Sequence, residues 1–199
     1  MSIAKSTTII DEWQSAKAPD APKITPVTVN PATTALLLLD FLGDVCTPSF
    51  RPRAAAAMPR LQAFLGEARK RGMTVVHTTT SASTAAPVGS DLAEAVKPIA
   101  GERVYKAPFN KFYNNDLDQY LRGRGIDTVI VTGTSPNGCV LFTTAGAILL
   151  GFKTLVPVDA IPAKTLFQEQ FVAWQVANGP GGFGKLGKLT SLDAISFQN

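Results

Sequence analysis

The stretch Thr128-Val-Ile-Val-Thr-Gly-Thr-Ser-Pro-Asn-Gly-Cys139 indicates the fold class of this chain. Its first five residues form a short apolar run, typical of a strand buried on both faces of a parallel sheet. Turn-forming residues follow, and an apolar run from Gly138 to Leu150 predicts a helix that stops at Gly151. Cys139 therefore lies where a strand gives way to a helix, and the free N–H groups of a first helical turn stabilise a thiolate and a neighbouring oxyanion.

The same alternation of strand and helix recurs along the chain. Further strands are predicted at 35–40, 73–78, 103–106, 154–159 and 194–197, with helices at 54–71, 114–122 and 165–177. This pattern predicts an α/β domain with a doubly wound, mostly parallel six-stranded sheet and helices on both faces, as in Rossmann-like folds. Residues 1–33 are polar and interrupted by prolines, which predicts an N-terminal arm before a single domain at residues 34–199.

Composition excludes several classes of protein. With 199 residues, of which 45% are hydrophobic and 17% charged, the chain fits one globular domain. The net charge is +4, but the basic residues are spread along the chain, so we expect no nucleic-acid partner. No apolar run reaches the ~20 residues of a membrane span. The N-terminus lacks the basic-then-apolar order of a secretory signal, and we expect a cytoplasmic protein without a membrane partner.

Polar residues at the carboxyl ends of the predicted strands are candidates for a site, because ligands of doubly wound folds bind there. Asp40 ends the first strand, Lys106 ends the third, and Cys139 follows the fourth after one tight loop. A carboxylate, an ammonium and a thiol supply a proton acceptor, a charge stabiliser and a nucleophile for covalent acyl transfer. Taken singly, the three are more typical of a helix cap, an exposed cation and a packed core residue.

In combination, residues between Ala35 and Phe152 resemble those of the isochorismatase-like cysteine hydrolases, which include nicotinamidases, N-carbamoylsarcosine amidase, ureidoacrylate and biuret hydrolases, and isochorismatase. The matching residues are Ala35-Leu-Leu-Leu-Leu-Asp40-Phe41, Lys106, Phe112, Asp116-Leu117, Gly125-Ile126, Val129 to Gly133, Cys139-Val140, Ala145 and Gly151-Phe152. The resemblance implies the isochorismatase-like fold. It also implies that Cys139 is the nucleophile, Asp40 its base, and Lys106 the cation that holds both in place.

The resemblance further implies a non-proline cis peptide between Thr134 and Ser135. In the family this turn directs two backbone N–H groups, here those of Ser135 and Cys139, at one point to form an oxyanion hole. Because losing one such donor slows comparable enzymes by roughly 100- to 1000-fold, we expect the loop to matter as much as the thiol.

Metal and histidine chemistry are disfavoured by the sequence. Nicotinamidases hold a metal with an Asp-x-His pair and a further His, whereas this chain has His77 alone and no Asp or His at 51–76 or 78–90. We therefore expect no metal and no other cofactor. A Cys-His dyad of His77 with Cys139 is a rival arrangement, but His77 lies inside an apolar strand, which favours a hydrogen-bonded packing role.

Several side chains are candidates for contacts with a substrate. Phe41, Phe112 and Trp174 are possible walls, and Arg51 or Arg53 is placed to reach a substrate carboxylate from the loop after the first strand. A further segment, Gly182-Phe-Gly-Lys-Leu-Gly-Lys-Leu-Thr190, nearly matches a phosphate-binding loop, but Leu189 replaces the hydroxyl that binds magnesium. We interpret this segment as a flexible glycine-rich cover, and Cys46 as a small packed residue.

The resemblance thus implies a hydrolase that cleaves the C–N bond of a small amide, carbamoyl or ureido compound through a thioester, and that forms a homodimer or homotetramer. Two alternatives stay open. An isochorismatase-type vinyl-ether hydrolase would use Asp40 as an acid and tolerate loss of the Cys139 thiol, and a non-catalytic binding protein would keep the fold without reacting.

Overall fold

The computed structural model describes residues 6–80, 88–181 and 183–198. Its strands are β1 Val27–Val29, β2 Thr34–Leu39, β3 Thr74–Thr79, β4 Arg103–Lys106, β5 Thr128–Gly133, β6 Lys153–Pro157, β7 Gly187–Thr190 and β8 Ile195–Phe197. Its α-helices are α1 Pro52–Lys70, α2 Leu117–Arg122, α3 Leu141–Leu149, α4 Leu166–Asn178 and α5 Phe183–Leu186. Across these ranges, no helix combines the length and the apolar character that a membrane span requires.

Six strands form one parallel sheet in the order β4-β3-β2-β5-β6-β7. This arrangement confirms the predicted doubly wound fold with a six-stranded sheet. The chain winds outward from β2 in one direction and from β5 in the other, so the topological switch point lies between these two central strands. Because ligands of open α/β sheets bind where the winding reverses, the carboxyl ends of β2 and β5 are the place to look for a site.

The core lies on both faces of the sheet, as predicted. Alternate residues of β2 point to opposite faces, and all six are buried. Leu37 and Leu39 pack with residues of α2, α3 and α4, whereas Leu36 and Leu38 pack with residues of α1. Cys139 belongs to the cluster on the α2–α4 side.

The sixth strand of the sheet differs from the prediction. It is β7, which pairs with β6 and comes from the glycine-rich segment interpreted as a flexible cover, so that interpretation is wrong for Gly187–Thr190. Gly182 of the same segment lies outside the described residues. Gly187 has a structural role, since a Cβ there would lie 2.8 Å from the carbonyl oxygen of Phe183. A four-residue strand that begins with glycine carries little of the apolar signal that marks a buried strand.

The two ends of the chain meet in a second, two-stranded sheet. The predicted last strand exists as β8, but it pairs in parallel with β1 and not with the main sheet. Nearby, the N–H of Thr25 donates to the carbonyl of Leu189 in β7 at 2.9 Å. Part of the segment predicted as an N-terminal arm is therefore built into the fold.

Candidate active site

Asp40 directly follows β2 and has a left-handed backbone conformation with φ of 54°. In a regular strand Asp40 would share the face of Leu38, but this conformation breaks the alternation, and its carboxylate is held on the α2–α4 side. The hydroxyl of Thr78 donates to Oδ1 at 2.7 Å, and the ammonium of Lys111 lies 2.7 Å from Oδ2. With only 6% of Asp40 exposed, this is a buried ion pair.

The cation of the site is Lys111, which corrects the assignment of Lys106. Lys111 is completely buried, and its ammonium also donates to the carbonyl oxygen of Ala107 at 2.9 Å. Its main-chain N–H donates to the hydroxyl of Thr143 on α3, which fixes the loop against that helix. Lys106 ends β4 as predicted, but its side chain is exposed, because burial alternates along the strand and Tyr105 takes the buried position.

The lysine that the sequence missed carries only a weak local signal. Lys111 lies in an irregular loop, where strand and helix periodicity say nothing about which side chains point inward. Its neighbours are aromatic, with Phe109, Phe112 and Tyr113 within two positions. A lysine in such surroundings is a candidate for a buried charge, since a lysine is almost never fully buried unless it is paired.

Cys139 lies in a π-helical turn, Pro136–Val140, that leads into α3. It is 3% exposed, and its thiol donates to the carbonyl of Ser135 at 3.5 Å. Burial and then the negative charge of Asp40 raise the pKa of the thiol, and Lys111 offsets this only in part. Burial therefore opposes the thiolate that a helix start favours.

The loop that joins β5 to Cys139 is fixed at several points. The peptide between Thr134 and Ser135 is cis, at the position that the family resemblance indicates. The N–H of Thr134 donates to the carbonyl of Leu39 at 3.1 Å, and the guanidinium of Arg51 donates to the Thr134 hydroxyl. Within the described part of the chain, the N–H of Ser135 has no hydrogen-bond acceptor.

Glycine is required where β5 leaves the sheet. A Cβ on Gly133 would lie 2.6 Å from the Cβ of Leu39 and 2.8 Å from its carbonyl oxygen. Such approaches do not occur between real atoms, so a side chain at Gly133 would push β5 away from β2. The spacing between Asp40 and the loop of Cys139 depends on this contact.

The predicted substrate contacts fall in different places. Phe112 is half-buried, stacks on Phe152 at 5.7 Å between ring centroids, and packs against the cluster that contains Cys139. Phe41 is wrong as a wall, because it is fully buried on the opposite face with α1. Trp174 lines a cleft of about 410 Å³ together with residues 18–22 and Phe171. It therefore faces the N-terminal segment and not the loop of Cys139.

The two candidate arginines are distinguished by their partners. Arg51 lies beside the loop of Cys139 through its contact with Thr134. Arg53 instead pairs with Glu169 of α4, with 2.6 Å between Nε and Oε1. Its charge is therefore already neutralised within the protein.

His77 has the packing role that the sequence favoured. It pairs with Leu38 in the sheet, which places it on the α1 face, opposite to the cluster of Cys139. Its Nε2 lies 2.8 Å from Glu102, which also binds Arg69 through two hydrogen bonds of 2.8 Å. Burial raises the pKa of Glu102, but the bonds to Arg69 and His77 outweigh it and lower the pKa to about 2. A Cys-His dyad is not formed.

Cys46 is half-buried against the cluster on the α1 face, and burial raises the pKa of its thiol to about 11.

Among the described residues, no group of three or more histidine, cysteine, aspartate or glutamate side chains converges as a metal site would require.

A family model for the isochorismatase domain matches residues 34–185. The chain belongs to the isochorismatase family. Among curated relatives, maleamate amidohydrolase from Pseudomonas putida is 32% identical over 151 residues, which are 64% of this chain and 71% of that protein. N-carbamoylsarcosine amidase from Arthrobacter is 30% identical over 51% of this chain and 37% of its own length. Ureidoacrylate amidohydrolase from Caulobacter vibrioides is 32% identical over 48% of each chain. The matches thus span about half or less of the latter two relatives.

Solved structures agree with this assignment of the fold. An isochorismatase family protein from Desulfovibrio vulgaris has a TM-score of 0.71 at 23% identity, covering 82% of this chain and 96% of that one. N-carbamoylsarcosine amidase from Thermoplasma acidophilum has a TM-score of 0.67 at 23% identity, covering 81% and 97%. The isochorismatase-like fold is therefore confirmed, and the amidohydrolases among the sequence relatives support a hydrolase that acts on C–N bonds.

Proposed function

We propose that this chain is a cysteine amidohydrolase that cleaves the C–N bond of a small amide, carbamoyl or ureido compound through a thioester on Cys139. The observation that carries the proposal is the buried Asp40–Lys111 ion pair after β2, beside the loop of Cys139, in which the N–H of Thr134 donates to the carbonyl of Leu39. A nucleophile, a proton acceptor and a cation at the switch point of the sheet are the groups that acyl transfer needs.

In the first step, Asp40 accepts the thiol proton while Sγ bonds to the carbonyl carbon of the substrate. A thiol whose pKa is raised by burial needs such a base to take its proton. The C=O electron pair moves onto oxygen, and we propose that the N–H groups of Ser135 and Cys139 stabilise this oxyanion. The C–N bond then breaks, and the nitrogen leaves with its electron pair and the proton held by Asp40.

The second step uses the same groups in reverse. Asp40 takes a proton from water while the water oxygen bonds to the thioester carbon. The C–S bond then breaks, and the sulfur takes the proton back from Asp40 as the acid product leaves. One carboxylate therefore moves one proton in each direction, as general acid–base catalysis requires.

Lys111 would hold the carboxyl group of Asp40 in place throughout both steps. Its ammonium is fixed by the carbonyl of Ala107, and no water competes for it, because the side chain is fully buried. In surroundings of low polarity, such a fixed cation stabilises the negative charge that develops next to it far more than an exposed one does.

The names of the sequence relatives favour an amide over the vinyl-ether alternative. They are amidohydrolases of maleamate, N-carbamoylsarcosine and ureidoacrylate, and these compounds are the first to test. We expect purified protein to release ammonia from at least one compound in a panel of small amides and ureido compounds.

The matched controls are two cysteine variants. Cys139→Ala should abolish ammonia release, whereas Cys46→Ala should retain it. Turnover of an enol ether that survives in Cys139→Ala would favour the vinyl-ether hydrolase. A wild-type protein that turns over neither class would favour the binding protein.

A further inference from the structure

Two cations without acidic partners flank one exposed aromatic ring next to the loop of Cys139. The guanidinium carbon of Arg51 lies 6.0 Å from the centroid of the Phe50 ring, and the ammonium of Lys164 lies 5.6 Å from it. Neither cation has a carboxylate partner within the described residues, whereas Arg53 is paired with Glu169. Uncompensated like charges repel one another, so two cations around one ring favour an anion beside them.

Arg51 is connected directly to the proposed nucleophile loop. Its Nη1 donates a hydrogen bond to the hydroxyl of Thr134. The carbonyl oxygen of the next residue, Ser135, accepts a hydrogen bond from the thiol of Cys139. Two hydrogen bonds and one peptide segment therefore connect Arg51 to the thiol of Cys139.

Lys164 is connected to the same loop from the other side. It directly precedes Thr165, the N-cap of α4. In the first turn of that helix, Gln168 donates to the side-chain oxygen of Asn137 at 3.2 Å, and Asn137 lies two residues before Cys139. The two cations thus flank the loop from the start of α1 and the start of α4.

The guanidinium of Arg51 has one edge left for a ligand. Its Nη1 is engaged by Thr134, while its Nε is buried and has no acceptor among the described residues. The Nε and Nη2 donors of an arginine can form two parallel hydrogen bonds with the two oxygens of one carboxylate, which is a bidentate contact. A buried N–H without an acceptor is unfavourable, so a ligand that supplies one gains affinity.

We propose that Arg51, Lys164 and Phe50 form an anchor for a substrate carboxylate, so that the enzyme selects small amides that carry a negative charge. Arg51 binds the carboxylate as a fork, Lys164 adds a second positive charge, and the ring of Phe50 packs against the carbon chain. This inference rests on the proposed function, because it names the substrate class of the same site.

The test compares monoamides with their neutral diamides, namely maleamate and succinamate against maleamide and succinamide. Arg51→Ala should lower kcat/KM for the monoamides by about 10- to 100-fold, mostly through KM, since hydrogen bonds to charged groups are of this strength. The diamides have no charge to bind and lose only the contact of Arg51 with Thr134, which both substrate types share, so the ratio of monoamide to diamide kcat/KM should fall by about 10- to 100-fold. Lys164→Ala should have a smaller effect in the same direction, since its ammonium is exposed.

Two further variants separate charge from position. Arg51→Lys should fall between wild type and Arg51→Ala, because it keeps the charge but loses the fork. Arg53→Ala is the matched control and should leave the ratio of monoamide to diamide turnover unchanged. If Arg51→Ala slows both substrate types equally, Arg51 acts only through Thr134, and the anchor is overturned.

Binding of succinate, measured by calorimetry, keeps the anchor and the proposed function apart. Succinate that binds wild type but not Arg51→Ala, in a protein that hydrolyses no amide, would support the anchor and refute the amidohydrolase. Amide turnover with an unchanged monoamide preference in Arg51→Ala would support the amidohydrolase and refute the anchor. A wild type that neither binds succinate nor hydrolyses the amides would overturn both.

Discussion

Replacing Lys111 by methionine tests the ion pair at the centre of the account. The substitution keeps most of the side-chain volume but removes the donor that lies 2.7 Å from Asp40 and 2.9 Å from the carbonyl of Ala107. Among the described residues, the hydroxyl of Thr78 still donates to the buried carboxylate of Asp40, but no cation remains beside it. Removing one partner of a buried pair costs about 3–5 kcal/mol, because the remaining charge is uncompensated. Since small domains have about 5–15 kcal/mol in total, Lys111→Met should remain folded but melt in much less denaturant.

The control is Lys106→Met, which removes an exposed ammonium and should change the free energy of unfolding by less than about 0.5 kcal/mol. The double variant Asp40→Asn with Lys111→Met removes both charges, so it should recover part of the lost stability without recovering ammonia release. Urea denaturation and an ammonia assay on the four proteins give the answer. The reasoning is refuted if Lys111→Met is as stable and active as wild type while Lys106→Met is inactive.

Three other predictions follow from the structure. Asp40→Asn should speed iodoacetamide labelling of Cys139 while abolishing turnover, since it removes an anion that raises the pKa of the thiol; slower labelling would contradict this. Gly133→Ala should cost about 1–3 kcal/mol in thermal denaturation because its Cβ would meet Leu39 at 2.6 Å, whereas Gly66→Ala in α1, with nothing within 4 Å, should be neutral or stabilising. Glu102 has a folded pKa of about 2 against an ordinary value of 4.5, so its contribution is present above pH 4.5 and is lost as the pH falls towards 2. Glu102→Gln should therefore reduce the acid sensitivity of unfolding in that interval, and an unchanged pH profile would count against the Arg69–Glu102–His77 cluster.

The sequence was sufficient for the central part of the fold. β2 and β5 are short apolar runs bounded by turn-forming residues, a pattern typical of strands buried on both faces. Asp40 and the loop of Cys139 follow these two strands directly, so a parallel sheet places both at its carboxyl edge. That the two strands are neighbours there is shown by their pairing and not by the sequence spacing.

The parts that the sequence did not predict depend on local conformation. Phe41 would share the site-facing side of β2 with Leu39 in a regular strand, but the left-handed conformation of Asp40 sends it to the α1 face. Lys111 lies in a loop, where the direction of a side chain is set by contacts such as that of its N–H with Thr143. Likewise, β7 gains its place in the sheet from pairing with β6, which a four-residue sequence does not reveal.

The most direct test of the central claim is mass spectrometry of the protein quenched in acid during turnover of an amide substrate. The account predicts an added mass equal to the acyl group of the substrate, carried by the peptide that contains Cys139 and absent from Cys139→Ala. An acyl adduct on Cys46 instead, or steady ammonia release by Cys139→Ala, would contradict it.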